Sequence, residues 1–251
     1  MESVATPSLF EKISRRSLAT IEATSNAVVK RFYQVLRKAN REDRPVFLDI
    51  DRTAPALREL DRNYAVIRQE VEQLLAQRLN LPSYHELDKR QTYISDSSPQ
   101  KWKVFLLYVM GVKPKENRAL CPRTSALLDK IPNLMEAFFS ILDAGKSIPV
   151  HGNTYPGYLR YHLGLVIPKE NPPTIRVHDR FHTWKEGESL LFDDSWDHEV
   201  YNQSTSERVI LLVDILRPYP WPLFQLNRIY AKGFLRFAYA SGLLKNLEKF
   251  R

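Results

Sequence analysis

Residues 158–166 read Tyr-Leu-Arg-Tyr-His-Leu-Gly-Leu-Val. Successive side chains of an extended strand point to opposite faces, so Leu159, Tyr161 and Leu163 share one face while Arg160 and His162 share the other. The first set is a core surface. The second puts a fixed cation and an imidazole inside an otherwise apolar sheet, which is costly unless an anion meets them. Runs of the same kind surround this stretch: FFSIL from Phe138, TIRVH from Thr174, ESLLFDD from Glu188, HEVYN from His198 and RVILLVDIL from Arg208. All are short, β-branched or aromatic, and separated by Pro, Gly, Asn and Asp clusters. Six or more strands joined without long helices predict an antiparallel sandwich or jelly roll, not a parallel sheet.

Helical patterns flank this region. From about Leu9 to Leu79 the chain is charge-rich with helical periodicity. Ser25–Lys38 carries Val28, Val29, Phe32, Val35 and Leu36 at spacings of three and four, and Asp61–Leu79 repeats the stripe with Tyr64, Ile67, Val71, Leu74 and Leu75. Residues 41–55 between them read as a loop with one extended run, Val46–Ile50. Lys101–Gly111 is apolar and aromatic, and Pro114–Pro122 reads as loop. A helix starts at Ser125, and the period changes to that of a strand at Phe138. Leu223–Arg251 is helical again, with Arg228, Lys232 and Arg236 every four residues. That segment reads as a helix packed on the sheet with a solvated basic edge, or as a basic amphipathic helix on an anionic membrane surface. The expected division is a mostly helical region over 1–99, a sheet domain over 100–222 and a basic helical segment over 223–251. The fold class is mainly β with a helical cover.

The 251 residues are 43% hydrophobic and 26% charged, which excludes a disordered or collagen-like chain. The most apolar run, Val209–Leu216, is broken by Asp214 and falls far short of the roughly 20 residues that cross a bilayer as a helix. The first residues, with Glu2 and no long apolar core, do not read as a secretory signal. Cys121 is the single cysteine, which removes intramolecular disulfides and thiolate zinc clusters and fits a reducing compartment. The expected location is the cytoplasm, with the periphery of the inner membrane face as an option. Lys and Arg outnumber Asp and Glu by 37 to 29, an excess that favours anionic partners. Trp102, Trp184, Trp196 and Trp221 are not interleaved with basic runs, so they read as core or pocket wall, and no nucleic acid is expected.

Histidines carry the most chemistry. His151, in IPVHGN, follows an apolar strand and precedes a turn, and His198 opens another strand. Two histidines on facing strand ends of a jelly roll offer imidazole nitrogens to one divalent ion, and such open sites are typical of non-haem iron oxygenases. Arg208 shares a face with Ile210 and Leu212. Together with Arg160 it implies a ligand with a carboxylate at each end. Taken singly, each arginine is better explained by pairing with an acid such as Asp194 or Asp214. Asp193, Asp194, Asp197 and Glu199 read as turn hydrogen-bonders, Ser195 lacks a nucleophile elbow, and Cys121 reads as a structural thiol. His178 and His182 flank a hairpin and read as solvent-exposed, as does His85 in the helical region.

The series Ser140, His151, Arg160-Tyr-His162-Leu-Gly-Leu, Phe192-Asp-Asp-Ser-Trp-Asp-His198-Glu-Val, Arg208 and Val213-Asp resembles the aspartyl/asparaginyl β-hydroxylase family over roughly Trp102–Pro218. The resemblance implies a double-stranded β-helix and an Fe(II)- and 2-oxoglutarate-dependent dioxygenase consuming O2. It makes His151 and His198 the iron ligands. It assigns Arg160 and His162 to the iron-proximal carboxylate of 2-oxoglutarate, and Arg208 and Ser140 to the distal one. Asn153 stands two residues after the first histidine, where most 2-oxoglutarate oxygenases carry an acidic ligand and animal members of this family carry glycine. Its amide binds iron, holds a water on it, or caps the turn; a two-histidine site with water in the third place is the favoured reading. The implied reaction hydroxylates the β-carbon of an Asp or Asn residue or a related acidic substrate. The alternatives are the same chemistry on a lipid acyl chain at a membrane surface, as in some bacterial members, and a non-enzymatic jelly-roll binding protein.

Overall fold

A computed structural model describes residues 27–40 and 44–250. The helical pattern expected over 9–26 lies outside the described residues. Two compact units divide at Arg44. In the first, residues 27–39 are helical, with Leu36 buried but Val28 and Val35 exposed, so the expected apolar stripe is only partly inward.

The second unit, from Pro45, is built on nine strands: β1 Trp102–Val109, β2 Leu134–Leu142, β3 Ile148–His151, β4 Tyr158–Val166, β5 Thr174–Val177, β6 Arg180–Thr183, β7 Ser189–Phe192, β8 His198–Tyr201 and β9 Arg208–Leu216. They form a five-stranded sheet in the order β1-β2-β9-β4-β7 and a four-stranded sheet in the order β3-β8-β5-β6. Every pairing is antiparallel. Neighbours distant in sequence, such as β2 beside β9 and β3 beside β8, give the doubly wound jelly-roll topology that the strand spacing predicts.

The alternation in β4 is realised. Leu159, Tyr161, Leu163 and Leu165 join Val209, Leu211, Val213 and Ile215 of β9 in one apolar cluster. The helix Tyr64–Ala76 covers that cluster with Ile67, Val71 and Leu74. The outer face of the large sheet is therefore a core. Polar side chains at the alternate positions, Arg160, His162, Arg208 and Asp214, are left on the inner face.

Three local expectations are corrected. Pro114–Pro122 is not loop: helices run over Lys115–Leu120 and Pro122–Leu128. Each follows or begins with a proline, which starts helices readily because the first-turn N–H needs no partner. Strand β2 begins at Leu134 rather than Phe138. Its Leu-Met-Glu-Ala opening favours helix locally, but all nine of its residues are buried between β1 and β9, and that packing overrides the propensity. Val46–Ile50 contributes only a bridge from Phe47 to Phe192, because Asp49 caps a helix over Ile50–Thr53.

Candidate active site

His151 and His198 are cross-strand partners in the β3–β8 pair, with ring centroids 4.1 Å apart. Each ring is fixed by the same local device. Nδ1 of His151 lies 2.8 Å from the Pro149 carbonyl, and Nδ1 of His198 lies 2.9 Å from the Trp196 carbonyl, two residues earlier in each case. A carbonyl oxygen only accepts, so both Nδ1 atoms carry the hydrogen and both Nε2 atoms keep a lone pair. Burial, helped by the neighbouring ring, pulls His151 down to about 3; burial likewise pulls His198 down to about 4. Two neutral imidazoles with second-atom hydrogen bonds to backbone are the usual state of metal-ligating histidines. Among the described residues no third His, Cys, Asp or Glu completes a larger cluster with them.

Asn153 takes the turn-capping role. Its side-chain oxygen accepts from the Tyr155 N–H at 3.0 Å, and its amide donates to Asp194 at 3.1 Å. Both ends of the amide thereby make bonds that hold the loop leaving β3, and the oxygen keeps a second lone pair.

The two arginines part company. Arg160 donates from Nε and Nη2 to the two carboxylate oxygens of Asp214, at 2.8 and 2.7 Å, and Nη2 lies 3.3 Å from Asp194. Asp214 is its cross-strand partner on β9. Its charge is therefore answered within the protein, as the acid-pairing alternative anticipated. Arg208 is different. Only 1% exposed, it has no carboxylate partner among the described residues. Nη1 makes long contacts to the Ser140 carbonyl and hydroxyl at 3.4 and 3.3 Å, Nε has no partner, and Cζ sits 4.4 Å over the Trp184 ring. Burial without an anion pulls this guanidinium down to about 9. Ser140, next to it, also accepts from Trp102 Nε1 at 2.9 Å.

His162 completes the inner face. It is buried against Phe192 and Trp184, with ring centroids 5.0 and 5.8 Å away, and neither ring nitrogen has a partner. Phe192 in turn meets His198 edge-on at 5.7 Å. The sequence-predicted histidines and Arg208 thus converge on one interior region walled by Trp184 and Phe192.

Several other expectations resolve here. Asp193 is a turn residue, accepting from the Ser195 N–H and hydroxyl, and it also pairs with Arg217 at 2.6 Å. Asp197 and Glu199 hold Arg176. Cys121 is buried, which pushes its thiol up to about 12. Three burial assignments are corrected: His85 is half-buried with Nδ1 3.0 Å from the Ser95 hydroxyl, His182 is half-buried edge-on to Phe47, and Trp221 is 78% exposed rather than core, because it follows the end of the sheet. An apolar cavity of about 370 Å³ opens between Pro55, Ile131, Leu216, Tyr219 and Phe224; none of the predicted site residues lines it.

Sequence reasoning missed Tyr155 and Asn227. The buried Tyr155 hydroxyl donates to Asn227 Oδ1, and Asn227 Nδ2 donates to the Gly157 carbonyl at 3.0 Å, which ties the helix Leu223–Ile229 to the loop after His151. No local signal marks a partnership spanning 72 residues.

Residues 61–218 match the family described as Aspartyl/Asparaginyl beta-hydroxylase. The chain belongs to the aspartyl/asparaginyl β-hydroxylase family. Among its relatives, an "ornithine lipid ester-linked acyl 2-hydroxylase" of Rhizobium tropici is 39% identical over 176 residues, 70% of this chain and 62% of that protein. The aspartyl/asparaginyl beta-hydroxylase of Mus musculus is 34% identical over 64% of this chain, but the match spans only 22% of its length. A Pseudomonas putida prolyl-4-hydroxylase structure aligns over 61% of this chain and 87% of its own, at 13% identity and a TM-score of 0.40. This member of the β-hydroxylase family thus spans less than two thirds of the curated relatives it matches.

Proposed function

We propose that this protein is an Fe(II)- and 2-oxoglutarate-dependent dioxygenase that hydroxylates an acyl chain of a lipid. The observation that carries the chemistry is the facing pair His151 and His198, both neutral and both hydrogen-bonded through Nδ1, beside a buried Arg208 that pairs with no acid among the described residues. The residues suit both groups. Two Nε2 lone pairs offer imidazole ligation of the kind that iron accepts. A desolvated guanidinium is unfavourable until an anion meets it, and a carboxylate does so with charge-assisted hydrogen bonds. Held by His151 and His198, iron with 2-oxoglutarate would supply an oxidation in which one oxygen of O2 goes to the substrate C–H and the other to succinate, with loss of carbon dioxide.

The chain's own residues bind, orient and exclude water. Arg208 and Ser140 anchor the far carboxylate of the cosubstrate. His162, neutral and buried, faces the same region as a hydrogen-bonding wall. Burial pulls its ring well below the usual histidine range, and the Arg160 charge adds to this, so it stays uncharged beside the metal ligands. Arg160, clamped by Asp214 and Asp194, stiffens the strand that carries His162. Trp184 and Phe192 keep the region dry, which strengthens every charge interaction in it.

The acyl-chain substrate rests on the Rhizobium tropici relative. Hydroxylation of the β-carbon of an Asp or Asn residue is the second reading, favoured by the matched stretch of the mouse relative. Anaerobic titration with Fe(II) and 2-oxoglutarate tests the chemistry: a weak visible charge-transfer band is expected, and it should vanish in His198→Ala. No band in the wild-type chain would overturn the dioxygenase reading in favour of a binding protein. Mass spectrometry of lipids and peptides incubated with protein, iron and 2-oxoglutarate then tests the substrate. A gain of one oxygen on a peptide and none on lipid would replace the first reading with the second.

A further inference from the structure

From Ile215 through Leu247 the sequence contains no Asp or Glu, while Arg217, Arg228, Lys232, Arg236 and Lys245 are all cationic. Arg217 is answered by Asp193; Arg228, Lys232, Arg236 and Lys245 are exposed. The backbone is helical from Leu223, widening to the i→i+5 pattern over Tyr230–Ala240 before resuming over Ser241–Leu247. Its packed face is already occupied: Asn227, Ala231, Ala240, Leu243 and Leu247 are buried. Off that face stand Leu226, Ile229, Phe234 and Phe237, half to nine-tenths exposed, with Trp221 just before them. Large, exposed apolar side chains beside cations are the composition of an interfacial helix, not of a solvated basic edge. Partial burial and the adjacent Arg228 charge both pull Lys232 below the ordinary lysine range, as expected where a cation lacks a counter-charge.

We propose that the segment Trp221–Leu247 seats this protein on an anionic lipid bilayer, its exposed aromatic and aliphatic side chains entering the headgroup boundary and its lysines and arginines meeting lipid phosphates. The placement has a consequence for the site. Asn227 fixes this segment to Tyr155 and Gly157, in the loop that leaves His151, and Tyr230 packs on Tyr155 with centroids 5.5 Å apart. A membrane on the exposed side of this segment is therefore separated from the loop that follows the first histidine by the width of one helix. This deepens the acyl-chain reading, on which only the delivery of substrate depends; adhesion to the bilayer stands on the segment itself.

Sedimentation of the full chain with vesicles tests it. Vesicles of phosphatidylcholine with phosphatidylglycerol should carry the protein down at low salt, and vesicles of phosphatidylcholine alone should leave most of it in solution. Replacing Arg228, Lys232 and Lys245 together by Gln should weaken binding on the order of a hundredfold, since each cation near an anionic surface contributes several-fold. Phe234→Ser with Phe237→Ser should weaken it at any salt concentration. Thermal melts matching wild type establish that these variants are folded. His198→Ala should bind vesicles as wild type does, so loss of the hydroxylase reading and loss of the membrane reading remain distinguishable. Wild-type protein staying in the supernatant with anionic vesicles, or the Gln variant sedimenting equally well, would overturn the proposal. So would a wild-type dimer in the absence of lipid that Phe237→Ser converts to monomer, because the face would then belong to a second copy.

Discussion

The guanidinium carbon of Arg208 lies 4.4 Å from the centre of the Trp184 indole, and no acid among the described residues pairs with it. Arg160, on the neighbouring strand, is clamped between Asp214 and Asp194. Two cations on one sheet face therefore differ in kind: one is paired with two acids, the other is buried without an acid among the described residues.

Arg208→Ala is expected to leave the fold intact, because it removes a buried charge that no acid among the described residues balances. It should raise the 2-oxoglutarate requirement at least thirtyfold, the lower end of the cost of truncating one partner of a buried charge pair at about 2–5 kcal/mol. Arg208→Lys should recover part of this, since a point charge replaces a fork. Succinate formation against 2-oxoglutarate concentration, with a thermal melt alongside, checks both; an unchanged requirement would show that the anchor lies elsewhere.

Glu136 faces Asp214 across β2 and β9, and one of its oxygens has no partner. Burial first, and then the Asp214 charge, push its carboxyl up to about 8. The folded state thus holds a proton that the unfolded chain releases near pH 4.5. The stabilisation is present below that pH and is lost as pH rises towards 8, by at most about 1.4 kcal/mol per pH unit. Glu136→Gln, neutral throughout, should melt like wild type near pH 4 and higher than wild type at pH 8. Parallel melting curves at both pH values would refute this.

Glu70 is 3% exposed and accepts from the N–H groups of Arg123 and Thr124 and from the Thr124 hydroxyl, at 2.8, 2.7 and 2.6 Å. It caps the helix Pro122–Leu128 from a different helix. Glu70→Ala should cost about 1–3 kcal/mol in urea unfolding, the usual penalty for orphaned buried donors, without altering the charge-transfer band. Glu70→Gln should cost less.

Asn227→Ala should loosen the C-terminal helices. It leaves the Tyr155 hydroxyl and the Gly157 carbonyl without their partner at a buried position. Faster amide exchange over 223–247, by roughly ten- to a hundredfold for a loss of about 1.4–2.7 kcal/mol, is the expected signature. Exchange confined to the strands would contradict it.

What the sequence makes legible follows from range. The period-two pattern of β4 is local, and the outer-face cluster behind Leu159, Tyr161 and Leu163 is its direct outcome. His151 and His198 are readable as a pair because each opens or closes a strand next to a turn. Which arginine meets an acid is not readable, since Asp214 sits 54 residues from Arg160 and only the β4–β9 register decides that they meet. Glu136 is hidden for the same reason: in Leu-Met-Glu-Ala it looks like a solvated helix position until two flanking strands bury it. The Tyr155–Asn227 tie and the Glu70 cap join distant elements through single hydrogen-bonding groups, which leave no periodic trace.

The strict alternation of β4 also restricts how the gene can vary. Substitutions at Arg160 or His162 alter one contact each, but inserting or deleting a single residue between Tyr158 and Leu163 would rotate every later side chain to the opposite surface. Leucine and tyrosine would then crowd the interior, and the arginine and imidazole would be driven into the greasy layer beneath Ile67 and Val71. Chains descended from a common ancestor are therefore expected to keep the length of this strand even where its letters drift, and to place their indels in the turns beyond Ile167.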